Sequence, residues 1–289
     1  MLKKIRDFSE LVAFEHTIFS APFMLIALLC ASLQKNSSLW FGFETLILCL
    51  LALIFARNFA MTFNRYIDRD IDAKNLRTQN RPSVDGRIGA KMMRYLILIN
   101  ALGFVSISYL INSLAFALSI PFLFILGFYS YMKRFSYLAH LVLGVSLGLA
   151  PIAGCIAVLG SVPLWCVFLS LGVLFWVAGF DLLYSLSDIE FDRAHRLFSI
   201  PSIFGESKTL IISRCFHGLS FGFWGLFVWS FGGNAIAYLG VLACGMILLY
   251  EQYLVSLDFK NIPKAFFVSN GYLGFVFLGA IILDGLLNG

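Results

Sequence analysis

The sequence predicts an all-α integral membrane protein that forms a single domain over residues 1–289. Of the 289 residues, 60% are hydrophobic and only 13% are charged, and the mean hydropathy is +0.87. A soluble domain carries about 25% charged residues. Apolar runs of about 20 residues, the length at which a helix crosses a bilayer, recur along the chain. Shorter polar and basic segments separate these runs, as expected for loops at the membrane surface.

Nine segments are long and apolar enough to span a membrane. They are uniformly apolar rather than alternating, which excludes barrel strands and leaves helices as the spanning element. The predicted spans are residues 17–34, 40–63, 92–112, 114–132, 137–159, 163–186, 209–231, 235–256 and 265–287. Pro22, Pro121 and Pro151 fall within them and predict kinked helices.

The basic residues predict which side of the membrane each loop faces. With nine spans and a cytoplasmic N terminus, all but two of the 21 Lys and Arg residues lie on the cytoplasmic side. The exceptions are Lys35, in an outer loop, and Arg57, within a span. We therefore expect a protein of a bacterial-type inner membrane whose N terminus and long polar loops are cytoplasmic. Because the basic residues follow membrane topology, nothing indicates a nucleic acid partner.

Cysteine and histidine spacing predicts neither a disulfide framework nor a zinc site. The six Cys residues are scattered through apolar segments without a C-x-x-C pair, and the four His residues are dispersed. Only Cys215 and His217 lie close in sequence, and one such pair is not a metal site. We interpret the cysteines as small core residues.

A row of oxygen-bearing side chains opens the first polar loop. The stretch Asn64–Asp72 reads N-R-Y-I-D-R-D-I-D and follows a long apolar run. If residues 57–72 form one helix, then Asn64, Asp68 and Asp72 share a face at spacings i, i+4 and i+8. A lone Asp would be a helix cap or a solvated charge. Two carboxylates and an amide in register instead favour a site for a hard cation such as Mg²⁺.

A second acidic row ends the sixth predicted span. Its members, spaced four, three and four residues apart, are Asp181, Ser185, Asp188 and Asp192, with Tyr184 beside them. On a helix they share one face. Solvated acids at the end of a span are the alternative interpretation. It explains Asp181 poorly, because a carboxylate about two turns deep in an apolar helix is costly without a partner or a function.

Two carboxylate rows on opposing helices predict a site for two cations and for a ligand that needs them. A diphosphate is the leading candidate, because Mg²⁺ binds one or two carboxylates and completes its shell with phosphate oxygens and water. Basic residues on the same side either neutralise phosphate or only set the topology: Arg77, Arg81, Lys133, Arg134 and Arg193. A metal–diphosphate clamp over a membrane cavity indicates a lipid diphosphate substrate whose apolar tail runs between helices.

Arg57 lies seven residues before Asn64, nearly two turns deeper on the same predicted face. Two interpretations stay open. One is a structural partner, for which Asp181 is a candidate. The other is an anion-holding group inside the cavity, suited to a substrate carboxylate or to the diphosphate.

Four motifs follow one another along the chain. They are N-x-x-x-D-x-x-x-D (Asn64–Asp72), R-T-x-N-R-P-x-x-x-G (Arg77–Gly86), Y-x-Y-M-K-R (Tyr129–Arg134) and D-x-x-Y-x-x-x-D-x-x-x-D (Asp181–Asp192). Together with the nine spans they resemble the UbiA-type intramembrane aromatic prenyltransferases, most closely the 4-hydroxybenzoate polyprenyltransferases of quinone biosynthesis. The resemblance implies nine helices around a central cavity that opens sideways to lipid and is capped by cytoplasmic loops.

The same resemblance implies a reaction and residue roles. The reaction is Mg²⁺-dependent transfer of a polyprenyl group from polyprenyl diphosphate to an aromatic carboxylate acceptor. The implied metal ligands are Asn64, Asp68, Asp72, Asp188 and Asp192. The diphosphate-binding candidates are Asn64, Arg77, Arg81, Lys133, Arg134 and Arg193. Arg57 and Tyr184 are candidates for acceptor binding, and Asp181 for the base that removes the ring proton.

After Asp192 the sequence departs from the hydroxybenzoate enzymes. It reads R-A-H-R-L-F-S-I-P over Arg193–Pro201, whereas those enzymes typically carry a Lys at the position of Phe198. This form resembles a branch associated with the futalosine route to menaquinone, which is thought to prenylate a dihydroxynaphthoate. Since Arg57 suits the carboxylate of either acceptor, the acceptor stays open between the two.

An ion-coupled transporter is the alternative from another class, because acids within spans also mark carriers. Against it, the carboxylates gather at one face of the membrane and the outer loops are nearly absent. A purely structural membrane subunit would leave Asp181 and Arg57 without a reason.

Overall fold

The structure is a computed structural model that describes residues 2–12, 19–265 and 269–288, and helices are the only regular element in that part of the chain. The helices are α1 (Leu2–Val12), α2 (Ala21–Asn36), α3 (Phe43–Ile67), α4 (Arg69–Asp72), α5 (Ala90–Ile111), α6 (Ser113–Phe128), α7 (Ala139–Leu159), α8 (Leu164–Ser185), α9 (Ile189–Ala194), α10 (Ile200–Phe204), α11 (Glu206–Phe231), α12 (Ala235–Leu257), α13 (Ile262–Lys264) and α14 (Asn270–Asn288). Three 3₁₀ segments complete them: Tyr129–Arg134, Leu186–Asp188 and Phe259–Asn261.

Eight of the described helices are long and apolar enough to cross a membrane. They are α3, α5, α6, α7, α8, α11, α12 and α14, and they coincide with the second to ninth predicted spans. The first predicted span corresponds to α2, which has 16 residues and starts at Ala21. The beginning of that predicted span, residues 17 and 18, lies outside the described residues, as do residues 266–268 of the last one. The chain is a multi-pass membrane protein, and the predicted fold class is confirmed.

The helix α8 is the most deeply buried of the eight, because it packs between α7 and α11. The indoles of Trp176 and Trp224 are fully buried at this contact. Close approach depends on glycine: a Cβ at Gly172 would overlap Trp224, and one at Gly179 would overlap His217. Small residues at helix contacts are how membrane helices gain packing where lipid offers no hydrophobic driving force. This packing holds α8 in a fixed orientation, and α8 carries Asp181 and Ser185, the first two members of the second acidic row.

Two of the three prolines lie where kinks were predicted. Pro121 is inside α6 and Pro151 is inside α7. The prediction for Pro22 is wrong, because Pro22 occupies the first turn of α2. A proline in the first turn costs no intrahelical hydrogen bond, since its missing N–H would have been unsatisfied there anyway.

Both acidic rows were predicted on continuous helices, and both predictions are wrong. The helix α3 ends at Ile67, and Asp68 leaves helical geometry at φ −87° and ψ 8° before α4 begins. In the same way α8 ends at Ser185, and Asp188, at φ −108° and ψ 5°, precedes α9. An Asp competes locally for backbone hydrogen bonds and so favours helix ends over helix interiors. Each row is therefore split at an Asp, which gives the two loops the same design.

Candidate active site

The two acidic rows face each other across one polar cavity of about 830 Å³. Its walls come from the α3–α4 break on one side and from the region between α8 and α9 on the other. The predicted site residues that line it are Asn64, Asp68, Asp72, Arg77, Arg81, Lys133, Asp181, Tyr184, Asp188 and Asp192. Residues more than 100 positions apart are thus gathered around one space.

Two arginines of the loop 73–89 hold the carboxylates of both rows. Arg77 crosses to the second row, where its Nε and Nη2 donate to Asp188 at 3.1 and 2.5 Å and its Nη1 donates to Tyr184 Oη at 3.0 Å. Arg81 stays with the first row and donates to Asp72 Oδ1 at 2.7 Å. Burial acts to lower the pKa of Arg77, but the hydrogen bond and charge of Asp188 raise it overall. The guanidinium groups balance charge that would otherwise push the two rows apart.

Asp68 is the more isolated carboxylate of the first row. Asn64 Nδ2 donates to Asp68 Oδ2 at 2.8 Å. Burial raises the pKa of Asp68 to about 6; Lys133 opposes the shift and the like charge of Asp72 adds to it. Among the described residues, nothing donates a hydrogen bond to the buried Oδ1 of Asp68 or Oδ2 of Asp72. These two oxygens accept no hydrogen bond from the described residues and could take a ligand, and Arg134 Nη2 lies 3.9 Å from Oδ1 of Asp68.

The second row is held by the segment that follows it. Ser199 Oγ donates to Asp192 Oδ2 at 2.8 Å, and the Phe198 N–H donates to the carbonyl of Lys133 at 2.8 Å. The segment after α9 therefore joins the Tyr129–Arg134 turn to the second acidic row. The Phe198 backbone and the Ser199 side chain make this link, whereas the Phe198 side chain is exposed and does not line the cavity.

The donor set fits a hard cation that shares its shell with a ligand. Within the described part of the chain, no three His, Cys, Asp or Glu side chains are arranged to enclose a metal by themselves. Mg²⁺ does not require such a cage, because it usually takes one or two carboxylates and fills its shell with substrate phosphate and water. Asp68 and Asp72 supply two such carboxylates through the oxygens that accept no hydrogen bond from described residues, Oδ1 of Asp68 and Oδ2 of Asp72. Arg77 occupies both carboxylate oxygens of Asp188, and Arg81 occupies Oδ1 of Asp72.

Two predicted diphosphate-binding residues lie outside the cavity. Arg134 forms a two-bond pair with Asp70, at 3.0 and 2.7 Å, on the outer side of the α3–α4 break. Arg193 is exposed, and its Nε donates to the carbonyl of Ser202 at 3.0 Å. Sequence position misled here because Lys133 and Arg134 are adjacent in a 3₁₀ turn and point to different sides. Arg193 is not brought to the polar cavity, and Arg134 does not line it, although Arg134 Nη2 lies 3.9 Å from Oδ1 of the cavity residue Asp68.

An apolar cavity of about 950 Å³ adjoins the polar one on the membrane side. Asn64 and Tyr129 line both cavities, so the two share a boundary. Arg57 lines the apolar cavity, at the depth that its spacing from Asn64 predicted. The described ion pair of Asp181 is with His140, whose Nδ1 lies 2.7 Å from the carboxylate Oδ2. Asp181 is therefore held by His140, and the role of Arg57 stays a prediction.

Sequence patterns did not identify several residues that line or support the polar cavity. Arg65, Asn75 and Ser130 line the polar cavity, and Asn75 Nδ2 donates to Asp188 Oδ1 at 3.3 Å. Tyr129 stood in a recognised motif but was given no role. His140 was set aside because histidines were judged by mutual spacing, and its partner is 41 residues away. No local signal points to such a contact.

Fold and site together define a multi-pass membrane protein with a charged cavity at the mouth of an apolar one. The profile of the UbiA prenyltransferase family matches residues 20–278 of this chain. The chain belongs to that family, and the predicted resemblance is confirmed. It is a polyprenyltransferase, so the transporter and structural-subunit alternatives are wrong.

Curated relatives and solved structures agree with this assignment. The chain is 30% identical over 217 residues to a 4-hydroxybenzoate octaprenyltransferase of Salmonella paratyphi C, covering 75% of this chain and 74% of that protein. A UbiA homologue from Aeropyrum pernix, solved without ligand, superposes with a TM-score of 0.84 at 30% identity over 93% of this chain and 98% of that one. A homologue from Archaeoglobus fulgidus, bound to GPP and Mg²⁺, shares the fold at a TM-score of 0.71 and 18% identity, over 96% and 99% of the two chains.

Proposed function

We propose that this polyprenyltransferase uses Mg²⁺ to transfer a polyprenyl group from polyprenyl diphosphate to 4-hydroxybenzoate in quinone biosynthesis. One observation carries the proposal: two carboxylate rows and several cationic side chains surround a polar cavity that adjoins an apolar cavity with a half-buried arginine, Arg57, in its wall. The name of the Salmonella relative supports the acceptor, and the ligands of the Archaeoglobus homologue support the donor class and the metal.

The polar cavity suits a diphosphate held through metal ions. Its candidate ligands are Asn64, Asp68, Asp72, Asp188 and Asp192. Bound Mg²⁺ would supply the positive charge that stabilises the departing diphosphate. Arg77 and Arg81, now paired with Asp188 and Asp72, would turn to phosphate oxygens when metal takes over those carboxylates. Lys133, on the same wall, adds a third cation.

The apolar cavity suits the prenyl tail and the acceptor ring. Arg57 is the one cationic group among its described lining residues. A guanidinium in an apolar site favours a carboxylate, because charge-assisted paired hydrogen bonds are strong where water is excluded. Arg57 would therefore hold the acceptor carboxylate. Tyr184 lies further towards the phosphate end, where Arg77 holds its hydroxyl group.

The reaction needs departure of diphosphate, capture of the allylic carbon by the ring and loss of a ring proton. The loop 73–89 forms part of the wall of the polar cavity through Asn75, Arg77, Thr78 and Arg81. Its own Thr78, Ser83 and Ile88 side chains are buried. This part of the wall limits water near the allylic cation, which water would otherwise quench. An electron-rich phenol ring in the adjoining cavity then competes for the cation without water as a rival.

A dihydroxynaphthoate is the second candidate acceptor, favoured by the form H-x-x-x-S-I-P at His195–Pro201. Arg57 would hold the carboxylate of this acceptor in the same way. By the distribution of Lys and Arg, the polar cavity would face the cytoplasm of a bacterial-type inner membrane.

The test uses purified protein in detergent with Mg²⁺, one polyprenyl diphosphate, and 4-hydroxybenzoate or dihydroxynaphthoate offered separately. We expect a prenylated ring product with one acceptor, no gradient requirement, and loss of product when Mg²⁺ is chelated. If no prenylated product forms with either acceptor, the proposal is refuted. Equal product with and without the chelator would refute its metal component.

A further inference from the structure

Behind the polar cavity lies a buried histidine to which the proposed chemistry gives no role. His140 is in the first turn of α7 and is 1% exposed. Its Nδ1 lies 2.7 Å from Asp181 Oδ2 on α8, and the Asp181 side chain keeps 18% of its surface exposed. Asp181 lines the polar cavity, whereas His140 lines neither cavity. The histidine can therefore reach a substrate only through Asp181.

Asp181 lines the polar cavity from the next-to-last turn of α8, before the helix ends at Ser185 and ahead of Asp188 and Asp192 in the same row. The groups whose charge faces it include Tyr129, which lines both cavities, and Lys133. Its described ion pair is with the imidazole of His140, whereas those of Asp72 and Asp188 are with arginines.

We propose that His140 positions Asp181 to accept the ring proton of the aromatic acceptor after prenyl transfer. This inference rests on the proposed function. When the new carbon–carbon bond has formed, the C–H bond at the same ring carbon breaks and its electron pair restores the aromatic ring. The proton moves to Asp181 Oδ1 and passes to solvent after the product has left.

The hydrogen bond explains how His140 acts on that step. An ionised Asp181 requires the tautomer in which Nδ1–H donates to Oδ2, so Oδ1 is left facing the cavity. The donor stabilises the charged carboxylate and limits its rotation. His140 is thus a positioning residue, and Asp181 is the catalytic base. Within the described structure the buried Nε2 of His140 has no hydrogen-bond partner, a cost that an apolar packing residue would avoid.

The test measures the ring-deuterium isotope effect on product formation. Purified protein receives Mg²⁺, one polyprenyl diphosphate, and saturating ordinary or ring-deuterated 4-hydroxybenzoate in separate assays, so that slow proton removal is expressed in the turnover number. Dihydroxynaphthoate replaces 4-hydroxybenzoate if the wild type accepts that ring. His140→Leu removes the donor. His140→Asn keeps a nitrogen donor at the same number of bonds from the backbone. Asp181→Asn tests the base itself and changes no volume.

We expect His140→Leu to lower turnover on the order of 10- to 100-fold, as for other residues that orient a reacting group. We expect its isotope effect to exceed that of the wild type, because proton removal becomes slower than bond formation. Asp181→Asn should show the same increase with a larger loss, on the order of 10²- to 10⁴-fold. His140→Asn should return both values towards those of the wild type.

His217→Leu is the matched control, because His217 is equally buried and binds Gln252 on α12, away from both cavities. Its isotope effect should equal that of the wild type whatever the yield of protein. An unchanged isotope effect in His140→Leu, or in Asp181→Asn if the histidine variant does not fold, would overturn the inference while leaving the proposed function standing. A wild type that prenylates neither ring would remove the proposed function and this inference together.

Discussion

Asp68 and Asp70 are two residues apart, yet only Asp68 faces the polar cavity. Asp70 is 62% exposed and pairs with Arg134 on the outer surface, whereas Asp68 is 15% exposed. Residues two positions apart point to nearly opposite sides of a helix, about 200° apart at 3.6 residues per turn, so this spacing separates the two carboxylates. The pair therefore offers a matched test of which carboxylates take part in the reaction.

We expect Asp68→Ala to lower prenyl transfer by on the order of 10²-fold or more, since removing one preorganised charge from a reacting centre has that cost. Asp70→Ala should stay near wild-type activity, because an exposed ion pair contributes little. The measurement is product formation with protein yield as the check on insertion. Near-normal turnover of Asp68→Ala would count against the metal–diphosphate clamp.

The raised pKa of Asp68 predicts how the metal requirement depends on pH. Because its pKa is raised to about 6, the carboxyl group is neutral below that pH and cannot bind a cation. Metal affinity should therefore fall as the pH is lowered through about 6, whereas an ordinary Asp would stay charged down to about 4. The measurement is the Mg²⁺ concentration for half-maximal rate between about pH 5 and 8. A flat profile would exclude Asp68 as a ligand that titrates in this range.

Arg57 is expected to affect the kinetics of the acceptor and not those of the prenyl donor. We expect Arg57→Ala to lower kcat/KM for the acceptor by about 10- to 100-fold, the value of a charge-assisted hydrogen bond, and to leave the KM of the prenyl diphosphate nearly unchanged. Arg57→Lys keeps the charge but loses the planar fork, so it should recover only part of the loss. An increase confined to the KM of the donor would place Arg57 with the phosphate instead.

At the scale of elements, the loop 73–89 is held at both ends of its span. Arg77 fastens it to Tyr184 in the last turn of α8 and to Asp188 just after that helix, while Arg87 pairs with Asp7 and Glu10 of α1 and with Asp85 of the loop itself. These partners raise the pKa of Arg87, so it stays charged throughout the physiological range. The N-terminal helix thus anchors this part of the wall of the polar cavity.

We expect Arg87→Ala to loosen that part of the wall. Hydrogen exchange in residues 73–89 should become faster, and the KM of the prenyl diphosphate should increase several-fold, because locally held segments open when their few anchors are lost. Arg94→Ala, an exposed arginine on α5 without a described ion pair, is the control and should change neither value. Unchanged exchange in Arg87→Ala would show that Arg77 alone fixes the loop.

Phe198, where the sequence differs from the hydroxybenzoate enzymes, lies in the segment that connects α9 to α10. Its N–H holds the Lys133 carbonyl, and its side chain points away from both cavities. A lysine at this position would keep the same backbone bond. The difference from the hydroxybenzoate enzymes therefore lies in the surface of the connecting segment rather than in the cavity wall.

At the scale of the whole molecule, the helices enclose an apolar space large enough for part of a prenyl chain and a ring. Ala150 on α7 lines this space, whereas Leu249 on α12 is 72% exposed on the lipid-facing surface. We expect Ala150→Phe to reduce turnover of long prenyl diphosphates more than of short ones, because the added ring occupies cavity volume. Leu249→Phe should change the turnover of long and short prenyl diphosphates to the same extent. Equal losses across chain lengths in Ala150→Phe would mean that the tail lies elsewhere.

The amino-acid sequence alone determined the fold class, the eight described spans and the motifs that place this chain in its family. Hydropathy and helical spacing are local properties, so they can be read without knowing which helices touch. The same reading put Asn64, Asp68, Asp72, Asp188 and Asp192 forward as one site, and the structure does bring them to one cavity.

Only the tertiary structure decided which partner each charged side chain takes. Arg77 reaches Asp188, 111 residues away, and His140 reaches Asp181, while Arg134 and Arg193 leave the cavity. Two physical causes lie behind these outcomes. The breaks at Asp68 and Asp188 change the direction of side chains that a continuous helix would have aligned, and the packing of α8 against α7 creates contacts that no sequence spacing records.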